Sequence, residues 1–373
     1  MDLVNGSSSN RRVFPDASPL VDRIHWAVVF VLMPFLALLG IAGNSLSIIV
    51  LYRQGFKKST NILLFALAIS DILFMIGANG PAKVMYEWGR GGFWFSEGDS
   101  RVLYYFYHVF DYLNWTAGPM SMGLPILITA ERFVAVFFPL KFHTIVTARR
   151  TFVAVIILAL ATYIPQIYIR FWFDFKYVWD PMYNTSVGLY FRTDLYYNQE
   201  QLSWLLGHFY AATGYFVIIV GSGSLAIGIR ISLAAAQRRR MMAGRDSTAD
   251  GPKRDSCKNG RSEGLSSKAG GPTRTTKTLL TLCIFYTISC MFVAMPTFFP
   301  NICVWPLFTL EPNFRSMEVF MYHLIKLDLC VNASCNFVIY VAMNKSFRET
   351  FFDIFNKNTS QTNNRGFPVA GIH

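Results

Sequence analysis

"ITAERFVAVFFPL", residues 128–140, is apolar at nearly every position and yet carries Glu131 and Arg132 side by side. Charge is costly in hydrocarbon, so an acid next to a base in such a run marks a functional pair near one end of a membrane helix. The rest of the chain supports the membrane reading. Its 373 residues are 53% hydrophobic and only 15% charged, too apolar for a soluble domain of this length. Runs long enough to cross about 30 Å of hydrocarbon as helices lie at 26–52, 61–85, 102–130, 151–170, 203–229, 278–302 and 316–343. The expected fold is an all-α membrane protein, a bundle of seven transmembrane helices over 26–343. Residues 1–25 precede it, and 344–373 form a short amphipathic helix and tail.

The first, fifth and sixth runs contain no Asp, Glu, Lys or Arg, as helices bathed in lipid require. The N-terminus has no apolar segment of signal-peptide type, so the first span is expected to act as the signal anchor. Loop charge sets the orientation. The connections 52–60, 139–150, 237–277 and 344–373 hold 21 Lys and Arg, whereas 1–25, 86–101, 171–202 and 303–317 hold 8. By the positive-inside rule the N-terminus is outside and the tail cytoplasmic, which fits a multi-pass protein of the plasma membrane. Sequons at Asn5 and Asn184 then face outward as candidate glycosylation sites, while those at Asn114 and Asn332 fall inside spans and are expected to be silent. The net charge of +12 sits mostly on cytoplasmic loops, which points to anionic lipid or an acidic protein partner rather than nucleic acid. No two of the six cysteines lie on the outer side away from the spans, so no extracellular disulfide is expected.

Three connecting segments are distinctive. Residues 237–277 hold eleven basic and four acidic residues among Gly and Ser, the composition of a disordered cytoplasmic loop that offers phosphorylation sites near Ser247 or Ser256. Residues 171–202 form a long outer loop crowded with aromatics, in which "SVGLYFRTDLYY" has the alternation of a β-hairpin. This loop reads as a lid or binding surface, or else as rings resting at the membrane interface. "NKSFRETFFDIF", 344–355, spaces its apolar residues as a helix lying on the inner leaflet would.

Inside the spans, Asp71 is the only charge in the middle of the second run. It is either a hub for helix packing or, with Ser121, Asn332 and Asn336, part of a set of oxygen ligands for a small cation such as sodium. Ser121 lies eleven residues before Arg132, on the same helical face and roughly 16 Å away along the axis. Asn332 and Asn336, four apart, share a face.

Asn44 in "GIAGNSLSIIVLY", Asp71 in "LAISD", "ERF" at 131–133 followed by "FFPL", and "NFVIY" at 336–340 before an amphipathic helix resemble the signature of rhodopsin-like (class A) G-protein-coupled receptors. The resemblance runs from about residue 26 to 356. The texture of "AERFVAVFFPLKFHTIVTARR" and "NASCNFVIYVAMNKSFRETF" looks most like invertebrate neuropeptide receptors of the FMRFamide-receptor-like group. It implies that Glu131 holds Arg132 at rest and releases it to a heterotrimeric G protein, that Leu140 is a hydrophobic knob on the second inner loop, and that Tyr340 moves inward beneath Arg132 on activation. Asn44, Asp71, Ser121, Asn332 and Asn336 would form the polar or sodium-binding core. Receptor kinases and arrestin are further implied partners.

The chain departs from the family pattern in places. Tyr107 stands where the family usually has the cysteine that staples the outer loop, and 171–202 contains no cysteine. Ala294 replaces the switch tryptophan before Pro296, and Phe337 the proline of the last motif. The fourth span lacks its tryptophan and the fifth its proline, while Arg274 and Lys277 occupy the foot of the sixth. Asn114 stands where monoamine receptors carry an aspartate, and Cys330 where visual pigments carry the retinal lysine. Both positions argue against a monoamine or retinal ligand; the resemblance implies a peptide, with a small environmental molecule as the alternative. Lys83, His108, Asp111, Asn114, His323 and Lys326 are expected to line an outer pocket, with Asp194 and Glu200 on the lid. Either Asp111 and Lys326 pair with each other, or Asp111 receives a basic ligand group while Lys326 meets a carbonyl or carboxylate. A transporter or channel using Asp71 and Asp328 would require internal repeats, and the sequence shows none. No nucleophile–base or metal-ligand spacing suggests an enzyme.

Overall fold

The computed structural model describes residues 19–89, 91–181, 184–199 and 314–363, with the single positions 202, 223, 227, 228, 230, 234, 237, 281, 284, 285, 288 and 289. The fifth and sixth expected spans lie largely outside the described residues. So do Asn5, Glu200, Cys257, Cys283, Cys290, Cys303 and all but the first residue of the basic loop 237–277.

The chain opens with α1 (Pro19–Ala27) and a π-helical turn, Val28–Leu32, that leads into α2 (Met33–Gln54). The wide turn falls just before Pro34, whose missing N–H leaves a carbonyl of the preceding turn without its usual donor. The second span divides into α3 (Ser59–Ala78) and α4 (Pro81–Trp88), parted at Asn79-Gly80 with Pro81 starting the new helix. The third is α5 (Glu97–Phe137), 41 residues long and therefore about 60 Å from end to end. Ser96 caps it, its hydroxyl accepting from the Asp99 N–H at 3.3 Å, while Glu97 and Asp99 complement the helix dipole. A short α6 (Phe142–Ile145) leads to α7 (Ala148–Ile169), capped by Thr147. Two antiparallel strands follow, β1 (Phe173–Asp180) and β2 (Thr185–Arg192), paired from Phe173 with Arg192 to Asp180 with Thr185. The hairpin thus extends further toward the N-terminus than its sequence pattern indicated. Asn184 sits exposed in its turn with φ of 48°, a left-handed conformation that asparagine tolerates. After α8 (Asp194–Asn198), the described chain resumes with α9 (Phe314–Met343) and α10 (Lys345–Asn363).

Among the described residues, Arg23–Gln54, Ser59–Trp88, Ala148–Trp172 and Tyr322–Met343 are long and apolar enough to cross a membrane. The α5 helix is more polar because α3, α7 and the hairpin cover it where the outer helices meet lipid. Burial is accordingly reversed from that of a soluble protein. Leu38 is 70% exposed, and Phe35, Ile157 and Leu160 also face outward, while Asn44, Asp71, Ser121, Asn332 and Asn336 are buried. At the inner end, Phe347 of α10 is fully buried against Val50, Leu51 and Tyr340, and Phe352 points outward. The amphipathic helix is therefore docked to the bundle on one side, with Gln54 Nε2 donating to Thr350 Oγ1 at 3.2 Å.

The tightest crossing is that of α3 with α5. A Cβ on Gly77 would lie 2.4 Å from the Asn114 backbone nitrogen, so only glycine admits this approach. Gly77→Ala is therefore expected to destabilise the detergent-solubilised protein by about 1–3 kcal/mol, the usual cost of overpacking. A thermal unfolding midpoint equal to that of the wild type would show that the two helices are not held this closely.

Candidate functional site

Three buried polar layers are stacked along α5. In the outer layer, Asp111 Oδ1 accepts from Lys83 Nζ at 2.7 Å and Oδ2 from Arg170 Nη1 at 2.5 Å. The carboxylate therefore ties α4, α5 and the end of α7 together, and each oxygen already carries a charge-assisted bond. Arg170 Nη2 also donates to Gln166 Oε1 at 3.3 Å, and its guanidinium lies 5.8 Å from the Phe173 ring at the base of the hairpin. The expected Asp111–Lys326 pair is not made. Lys326 Nζ instead lies 5.0 Å from the Tyr322 ring centroid. His323 has Glu87 Oε1 3.4 Å from its Nε2 and His25 Nε2 3.2 Å from its Nδ1, so α1, α4 and α9 meet there. Asn114 is buried at the α3 crossing, and His108 is half-buried beside Tyr104 and Tyr190.

The hairpin covers this layer and is fastened by rings. Phe173 stacks on Tyr190 with centroids 4.5 Å apart, and Tyr190 meets Tyr107 at 5.1 Å. Tyr107 in turn meets Tyr86 at 4.8 Å. Phe93 and Gly188 exchange two backbone hydrogen bonds of 2.9 Å, joining the hairpin edge to the chain entering α5. Gly188 has to be small, because a Cβ there would lie 2.8 Å from both Ser100 and Phe175. Asp194 is exposed at the start of α8, away from the buried charges.

In the middle layer, Ser121 donates to Asp71 Oδ1, and Asn336 Nδ2 donates to Asp71 Oδ2 at 2.6 Å. Asn44 Nδ2 reaches the Ala333 carbonyl at 2.9 Å. Asn332 is buried with neither side-chain polar atom engaged. Asp328 turns the other way, accepting from Ser289 at 3.3 Å. Cys330 is buried and Cys335 half-buried, both as free thiols.

The inner layer answers the sequence's opening puzzle. Glu131 pairs with Arg132 and also accepts from Thr60 Oγ1 at 2.6 Å and Ser59 Oγ at 3.0 Å. Arg132 Nη2 adds a bond to Thr60 Oγ1 at 2.7 Å, and Ser59 lies 2.8 Å from Thr151 Oγ1. The acid beside the base is thus a clasp between α5, α3 and α7 at the end of the bundle opposite the hairpin. Tyr340 is buried next to Phe347 with ring centroids 5.5 Å apart, and Leu140 is 97% exposed on the connection after α5.

Sequence reasoning brought Asp71, Ser121 and Asn336 together correctly, and likewise Glu131 with Arg132. It missed Arg170, Glu87, His25, Ser59, Thr60 and Thr151. Arg170 had left a signal as the only charged residue in the fourth expected span. The hydroxyl residues left none, because Ser and Thr at a helix start look like ordinary caps. Removing the outer carboxylate alone strands two buried cations, so Asp111→Ala should lower stability by about 3–5 kcal/mol. Replacing all three groups together (Lys83→Met, Asp111→Leu, Arg170→Leu) should recover most of that loss in a thermal unfolding assay.

Comparison with known proteins identifies the family. The "Probable G-protein coupled receptor frpr-1" of Caenorhabditis elegans is 22% identical over 357 residues, covering 88% of this chain and 79% of its own length. The "FMRFamide receptor" of Drosophila melanogaster is 29% identical over 42% of this chain, and the "Allatostatin-A receptor" of Bombyx mori is 28% identical over 36%. The chain spans 28% and 36% of the lengths of these last two. The description "7 transmembrane receptor (rhodopsin family)" matches residues 43–340, a stretch that runs from the glycine before Asn44 to Tyr340 and takes in all three polar layers. The chain belongs to the rhodopsin family of seven-transmembrane receptors, and is a multi-pass membrane protein.

Proposed function

We propose that this chain is a plasma-membrane receptor, N-terminus outside and tail in the cytoplasm, that binds a neuropeptide beneath the hairpin and drives nucleotide exchange on a heterotrimeric G protein. The observation that carries the reading is the Glu131–Arg132 clasp, closed by Ser59 and Thr60 at the inner end of the bundle. The names of the relatives, an FMRFamide receptor and an allatostatin-A receptor, support a peptide as the ligand. A ligand acts by binding one arrangement of the helices better than the other. In the arrangement described, Arg132 is held through Nη2 by Glu131 and Thr60. When the inner ends part, its guanidinium is freed for the tail of the G protein, and Tyr340 moves into the space beneath it. Leu140, already exposed, supplies an apolar contact on the second inner loop. Receptor kinases and arrestin act on the cytoplasmic loop and tail once the receptor is active.

The middle layer suits a sodium ion. Asp71 supplies the charge, Ser121 and Asn336 already surround its carboxylate, and Asn332 has an uncommitted buried amide oxygen one turn away. The ion, when bound, neutralises a carboxylate that otherwise lies uncompensated in the bundle. These residues would hold the resting arrangement together around it.

Cells expressing the chain, challenged with a panel of amidated neuropeptides, should give a calcium or cyclic-nucleotide response. Arg132→Ala should reduce that response to background with unchanged surface staining, and a variant that still signals would remove Arg132 from the mechanism. For the same agonist, replacing sodium with a bulky organic cation should raise affinity about fivefold or more, the lower range of ordinary site-to-site coupling. Asp71→Asn should abolish the difference, and a wild-type affinity that ignores sodium would rule the site out.

A further inference from the structure

The charges of the outer layer do not balance. Among the described residues it buries Lys83, Arg170 and Lys326 against the carboxylates of Asp111 and Glu87. Asp111 is saturated, each oxygen holding one cation. Glu87 faces His323. Asp328, two residues beyond Lys326, accepts from Ser289 on another side of α9. Lys326 is the cation left over. It is 4% exposed, makes no ion pair among the described residues, and rests over the Tyr322 ring, which itself stacks on Trp115 at 6.3 Å. Its neighbours in the field are Lys83, Glu87 and Asp111, so the ammonium faces into the bundle rather than out toward the headgroups. A buried ammonium with no carboxylate in direct contact is expensive even with Glu87 and Asp111 nearby, and such groups mark functional sites that a ligand can complete.

The geometry points to Lys326 as the group that selects the occupant of this pocket: the neuropeptide brings a carboxylate, from an acidic side chain or a free C-terminus, that pairs with the Lys326 ammonium. The inference rests on the reading of the outer layer as a peptide site. It reverses one sequence-based expectation, because Asp111 already carries two cations and has no oxygen left for a basic ligand group. A single ammonium on a flexible stem matches a singly charged carboxylate. A phosphate-like dianion calls for the planar fork of an arginine, and Arg170 is committed to Asp111.

Two matched panels test this on cells expressing the full chain: synthetic peptides with each carboxylate, side-chain or C-terminal, paired with its carboxamide, and small organic acids paired with their amides. Active peptides should carry a carboxylate, and the amide partner should be weaker by about ten- to a hundredfold, the range of a charge-assisted hydrogen bond. The position of the sensitive carboxylate identifies its source. On Lys326→Gln the acid and amide forms should be equipotent, and on Lys326→Arg the preference for the acid should persist. Because the readout is a ratio within each variant, altered expression does not disturb it. Peptides without any carboxylate that activate wild type and Lys326→Gln equally would overturn the role of Lys326 and leave the peptide receptor standing. Small acids that activate with the same dependence on Lys326, while no peptide does, would support the pairing and overturn the peptide reading.

Discussion

The carboxylate of Asp71, gripped by Ser121 from α5 and Asn336 from α9, is the contact around which the described helices assemble. In lipid, burying an apolar side chain against another helix gains little over leaving it in the acyl chains, so close packing and polar contacts must hold helices together. The structure supplies both. Asn44 reaches the backbone of α9 and Ser334 returns a bond of 2.8 Å to the Leu36 carbonyl, while Gly77 lets α3 approach the backbone of α5. The polar groups form the core and the large apolar side chains the outer face.

The same device recurs at both ends. Asp111 joins α5 to α4 and the end of α7, and Glu131 joins α5 to α3 and, through Ser59, to α7. Each of the three carboxylates lies on α5 or is bonded to it, so this one long helix runs through every buried polar layer. A rod bonded at three depths cannot shift or turn at one level without disturbing the partners at the others. For the receptor function proposed above, that arrangement supplies a physical link between the Asp111 layer and the Glu131 clasp.

Much of this was legible in the sequence, for a definite reason. Span positions follow from length and apolarity, and an ionisable residue in a span announces itself because lipid makes it costly. Asp71, Glu131 and Arg132 were found that way. Pairing among charges was less legible: Asp111, Lys83, Lys326 and Arg170 come from four different segments, and helix rotation decides which of them meet. Spacing along one chain says nothing about that rotation, which is why a Lys326–Asp111 pair stood as one of two alternatives and Arg170 was overlooked. Small hydroxyl residues such as Thr60 were invisible for another reason, since their role exists only once Glu131 is beside them. The hairpin's alternation was read in β2, whereas β1 became evident only through its pairing with that strand.

The hairpin's hold on the bundle differs in kind from a covalent one. A covalent staple is either present or absent, and its loss frees a loop in one step. Here the hairpin, which has no cysteine in 171–202, is held by a train of rings running from Phe173 through Tyr190 and Tyr107 to Tyr86. Each contact contributes only about 0.5–1.5 kcal/mol beyond its buried area. The grip is therefore graded: single substitutions can tighten or loosen the entrance by small increments without releasing it. It is also indifferent to redox conditions. For the peptide site proposed beneath the hairpin, a latch of this kind would leave the rate at which ligands enter and leave open to adjustment ring by ring, while the buried charges below stay unchanged.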